Sequence, residues 1–145
     1  MMAQRRVLIA AALLVGGVTA CSDVTGANAR ADGVYYLQAV NSNSIPYSYT
    51  DNTTGHTLTV TGDTYSLNSD GSYSDQQIYR DNGLSRSYTE SGTWTQSGNV
   101  VSFRPFQSST GNLTVYQATV ANSNVFGGAR TLSINFSGTV WYYSQ

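Results

Sequence analysis

HTLTVTGDTYSLNSDGSYSDQQIYRDNGLSRSYTESGTWTQSGNVVSFR, residues 56–104, decides the fold. Its first run alternates, with Leu58 and Val60 on one face. Gly62 marks a bulge, after which Tyr65 and Leu67 continue the pattern. Asn68-Ser69-Asp70-Gly71 is a hairpin signal, because glycine supplies the positive φ that a tight turn requires. A strand over 72–80 follows, then a second turn at Asp81-Asn82-Gly83. Residues 85–96 carry Tyr88 and Trp94, with a bend at Gly92. Ser97-Gly98-Asn99 turns the chain into a strand over 100–104, which Pro105 is expected to end. Short alternating runs joined by hairpin-length connections describe an antiparallel meander.

The same grammar extends outward on both sides. Residues 33–41 form a first strand, with Tyr35, Leu37 and Ala39 on one face. Residues 42–52 read as a loop in which Pro46 excludes a central strand, and Tyr47 and Tyr49 are placed over one end of the core. Beyond the polar residues 107–111, strands are expected over 112–121, 130–136 and 139–143. Leu132, Ile134 and Phe136 share a face. The expected class is therefore all-β: an eight-stranded antiparallel up-and-down meander. Closed into a barrel it leaves no exposed edge; an open sandwich is the competing architecture. Composition agrees, since eleven Tyr supply much of the apolar mass and Thr, Gly and Asn are abundant.

The N-terminus has a different character. Arg5 and Arg6 precede an apolar run over 7–18, which closes on Val18-Thr19-Ala20-Cys21. A charged start, a short apolar region and small residues at a cleavage point define a secretory signal peptide. The run is too short for a membrane span, which needs about 20 residues. Cys21 is the only cysteine, and a lone thiol in an oxidising compartment is a liability unless it has a use. The stretch resembles a bacterial lipoprotein signal with its lipobox. That resemblance implies diacylglycerol on the Cys21 thiol, removal of residues 1–20 and acylation of the new N-terminus. It also implies anchoring in the cell envelope, with Ser22 favouring the outer membrane. Residues 21–31 then read as lipidated Cys and flexible tether, and residues 32–145 as one domain.

Within that domain, Gly33-Val34-Tyr35-Tyr36-Leu37 with Val40-Asn41 and Ile45-Pro46 resembles the opening GxYxLxxVNGxxLP of small bacterial lipocalin-like lipoproteins. Asp70-Gly71-Ser72-Tyr73 is similar to the DGTY hairpin of the same group. Ser91-Gly92-Thr93-Trp94 and the aromatic C-terminal strand continue the likeness. In lipocalins proper a Trp stands where this chain has Tyr35, and an Arg near the last strand packs over it; no Arg follows Trp141. The resemblance implies the barrel rather than a particular ligand.

Composition excludes one partner class. From Cys21 onward five Arg and no Lys stand against eight acids, whereas nucleic-acid binding needs a basic stripe. No catalytic set is legible: His56 is the only histidine and reads as a solvated strand-end residue. The chain is therefore expected not to be an enzyme, and no metal site or cofactor is expected. Asp51, Asp70 and Asp81 serve turn geometry. The aromatics carry the functional expectation. Tyr35, Leu37, Tyr65, Tyr73, Trp94, Phe103 and Phe136 are candidates to line a ligand pocket or to fill the core, and both interiors remain open. Tyr36, Tyr116 and Tyr142 are expected to face outward. Three roles follow: an envelope-anchored module binding a small hydrophobic ligand, a barrel whose loops bind an envelope protein or inhibit a hydrolase, and a structural envelope component.

Overall fold

Alternation along the strands is interrupted at three bulges, and these decide which side chains enter the interior. In the computed structural model, which describes residues 30–122 and 128–145, the register shifts lie at Leu37/Ala39, Val60/Gly62 and Ser91/Gly92. Cys21 and the rest of residues 1–29 fall outside the described residues.

The strands are β1 (Gly33–Val40), β2 (Asn43–Ser44), β3 (Tyr47–Thr50), β4 (Thr57–Leu67) and β5 (Ser72–Asp81). They continue as β6 (Leu84–Ser97), β7 (Val100–Ser108), β8 (Tyr116–Asn122), β9 (Arg130–Phe136) and β10 (Thr139–Ser144). Each strand from β4 to β10 pairs antiparallel with the next, and β10 pairs with β1. Gly33 to Tyr36 of β1 then pair with Leu67 back to Thr64 of β4, which closes an eight-stranded up-and-down barrel. The short β2 extends the far end of β1, and β3 pairs along the first residues of β4.

Four details differ from the sequence expectation. The 42–52 segment contains β2 and β3, because Asn41 and Ser42 take φ of 48° and 66° and turn the chain sharply back on β1. Val40, not Ala39, joins Tyr35 and Leu37 inside, since the β1 bulge exchanges the faces. β7 runs through Pro105 to Ser108. Pro105 pairs with Gly92 beside a bulge of β7, whose Phe106 has no partner on β6, so the ladder is already broken there and a missing N–H is tolerated. Tyr116 shares the inward face of Ala118 and Val120 instead of pointing out; β8 begins only there, because Asn112 Oδ1 accepts from the Thr114 backbone N–H and hydroxyl and holds a local turn.

The packed core fills one end of the barrel. Tyr35, Leu37, Leu67, Val101, Phe103, Val120, Leu132 and Ile134 are buried there. Ala31, at the end of the expected tether, is fully buried as well. Its N–H donates to Gln96 Oε1 at 2.9 Å, and its carbonyl accepts from the Tyr35 hydroxyl at 2.9 Å. The Arg130 guanidinium donates to the Arg30 carbonyl and Gln145 Nε2 to that of Asp32. The N-terminal segment therefore stops this end.

Candidate functional site

Period-two alternation carries acids as well as rings into the barrel. On β4, Asp63 precedes inward Tyr65 by two residues; on β5, Asp75 follows inward Tyr73 by two. On β6, Glu90 lies two before Gly92. Asp63, Asp75 and Glu90 are all buried. They sit in the upper half of the barrel, around a cavity of about 580 Å³ open at the end away from Ala31. Tyr65, Tyr88, Tyr116, Trp141 and Tyr143 make much of its wall. Tyr47, Tyr49 and Phe136, with Thr110, Asn112 and Thr114, also line it.

Rings connect the core to the mouth. Tyr73 meets Phe103 edge-on at 4.9 Å, Phe103 stacks on Tyr116 at 5.0 Å, and Tyr116 tilts against Phe136 at 5.3 Å. Tyr65 packs T-shaped on Tyr143 at 5.2 Å. Each such pair contributes about 0.5–1.5 kcal/mol beyond area burial, so the aromatic wall is held in place by its own contacts. Gly92 makes one of these contacts possible. A Cβ there would lie 2.7 Å from Tyr73 Cε1 and 2.2 Å from the Arg104 carbonyl oxygen. Only a bare backbone lets the Tyr73 ring cross β6 and reach Glu90.

The polar groups are unequally satisfied. Glu90 accepts hydroxyl hydrogen bonds of 2.6 Å from Tyr73, Tyr88 and Tyr116. Asp63 Oδ2 accepts from Tyr143 at 2.9 Å and from Gln77 Nε2 at 3.1 Å. Asp63 Oδ1 and Asp75 Oδ1 are buried without a donor from the rest of the protein. Burial raises the pKa of both aspartates above the ordinary carboxylate value, and for Asp75 the neighbouring Asp63 and Glu90 charges push the same way. Burial likewise raises Tyr65, Tyr116 and Tyr143, and takes Tyr88 to about 12. The phenols are thus neutral donors at physiological pH.

Of the residues singled out in the sequence, Tyr65 lies in the cavity wall and Phe136 at its rim, 41% exposed. Phe103 and Tyr73 lie in the core, with the Tyr73 hydroxyl on Glu90. Tyr35 and Leu37 belong to the packed end. Trp94 is half-buried beside the core and donates to the Asn68 carbonyl from Nε1. His56 Nδ1 sits 2.7 Å from Asp81 Oδ1, outside the main cavity. No group of three or more His, Cys, Asp or Glu among the described residues is arranged to hold a metal ion. Compared with known proteins, the chain matches no family model, no curated protein and no solved structure.

Proposed function

We propose that the protein is a lipid-anchored lipoprotein of the bacterial cell envelope whose lipocalin-like barrel binds a small amphipathic ligand without transforming it. One observation carries the binding reading: a closed barrel packed at one end and open at the other around about 580 Å³. Ligand pockets commonly span roughly 300–1,000 Å³ and combine apolar walls with a few convergent polar groups. A barrel acting only as scaffold for its loops would gain stability by filling that space. The anchor and the envelope address rest on the signal-like sequence ending at Cys21, for which the outer membrane is the favoured destination.

Native mass spectrometry of the full chain, released from detergent after purification from its host membranes, tests the binding reading. The expected spectrum holds an additional mass that is lost on denaturation. A bare protein mass that stays bare after incubation with a small-molecule extract of the host envelope would overturn the reading. It would favour a protein partner, for which Phe106, Leu113 and Val115 are exposed apolar residues on and after β7.

A further inference from the structure

Three acids in one cavity would ordinarily be balanced by a cation of the protein itself. Asp75 and Glu90 are direct register partners across β5 and β6, and Asp63 is diagonal to Asp75 across β4 and β5. Like groups so placed repel, and burying their charged forms is expensive. Yet no Arg or His lies among the described residues lining the cavity. Glu90 is provided for by three phenols. Asp63 and Asp75, each only 5% exposed, are provided for in part: Tyr143 and Gln77 donate to Asp63 Oδ2 and Tyr65 lies beside the Asp75 carboxyl, but both Oδ1 atoms lack donors. Two occupants can satisfy them, a proton shared between the carboxyls or hydrogen-bond donors arriving from outside.

Accepting the binding reading above, we propose that the cavity takes a small protonated amine, its N–H groups directed at Asp63 and Asp75 and its apolar body held by the aromatic wall. A primary ammonium carries three donors, which suits two empty acceptor atoms. A quaternary ammonium offers none. A neutral polyol has donors but leaves the acids without a counter-charge. Tyr65, Tyr116 and Trp141 line the same space, and ring faces attract a cation.

Entry of the amine displaces the proton that the two carboxyls share. The ammonium keeps its own protons, the aspartate pair gives one to solvent, and the complex gains one hydrogen-bonded ion pair. The titratable groups facing the aspartates are Tyr65 from β4, Tyr73 from β5, Glu90 and Tyr88 from β6, and Tyr143 from β10, with Tyr116 of β8 in the same cavity. The phenols are all held neutral, so the released proton comes from the carboxyl pair. Affinity therefore rises with pH until the amine itself begins to lose its proton.

The test titrates the full chain in detergent with 2-phenylethylamine, 2-phenylethanol and phenyltrimethylammonium, by calorimetry in phosphate and in HEPES at one pH, neither buffer being a primary amine. The primary amine should bind roughly tenfold or more tighter than the other two, the ratio set by leaving buried acceptors unpaired. Its heat should differ between the buffers by the proton released. Asp63→Asn with Asp75→Asn should bring the amine down to the affinity of the alcohol. If the alcohol matches the amine on the unaltered chain, or the heats agree in both buffers, the amine assignment falls while the binding reading stands. If none of the three probes binds a chain with its native melting transition, the amine assignment falls as well, and the mass spectrum alone decides the binding reading. The comparison of probes on the unaltered chain does not depend on the variant folding.

Discussion

Glu90 and Asp75 face each other across two strands, yet they meet different surroundings. Glu90 is wrapped by phenolic donors, whereas Asp75 Oδ1 has none. This difference makes Asp75 a source of pH dependence. Its folded pKa is raised above the ordinary 3.8 by burial and by its acidic neighbours. The folded state therefore binds a proton that the unfolded chain releases, and the stability from that proton is complete below about pH 4 and lost as pH rises toward the folded pKa. Other groups titrate as well, but Asp75→Asn isolates this one by keeping the shape and removing the charge. Its melting temperature should exceed that of the wild type at about pH 8, and its fall from about pH 5 to 8 should be shallower. Circular dichroism melts across that range check both; identical slopes would remove Asp75 from the explanation. None of the three interior acids stood out in the sequence, where Asp51, Asp70 and Asp81 drew the eye to turn chemistry. The signal was nevertheless present. Asp63 and Asp75 each lie two residues from a tyrosine expected to face inward, and a period of two sends them the same way.

At the scale of elements, the bulges were only partly legible. Gly62 marked one on its own strand and Gly92 faces another on β7, because a missing side chain in a strand signals a bend or a close approach. The β1 bulge contains no glycine, and without that mark Ala39 rather than Val40 was expected beside Leu37. Pro105 misled for a related reason. Its missing N–H normally ends a strand, and only its partner Gly92, known once the register is known, shows why β7 continues. The turns were clear because Asn-Gly and Asp-Gly pairs declare their own backbone. Gly92→Ala tests the joint between β6 and β7. The added methyl meets backbone at 2.2 Å as well as the Tyr73 ring, so the strand itself must move. Overpacking of this kind costs about 1–3 kcal/mol or more. Urea unfolding should show a lower midpoint with an unchanged slope; a midpoint equal to the wild type would mean that β6 yields freely there.

For the whole molecule, closure and the half-filled interior have different origins. Eight short strands with hairpin connections admit a closed barrel and an open sandwich alike; the barrel is favoured because it removes the edges, and the pairing of β1 with β4 closes it. Which half is hollow was not legible at all. That depends on where acids interrupt the rings, a property of register rather than of composition. The proposed anchor is likewise a property of the chain as a whole. Palmitate fed to the host should label the wild-type protein, and Cys21→Ala should carry no label; equal labelling of both would remove the anchor.

The stopper at the packed end also has a mechanical meaning. Residues 30–32 are tied at once to Tyr35 of β1, Gln96 of β6, Arg130 of β9 and Gln145 beyond β10. A pull applied through the N-terminus is spread over four points on the barrel wall instead of peeling one strand from its edge. With the mouth at the opposite end, a load through the proposed anchor would reach the cup at its base and leave the strands of its opening unloaded.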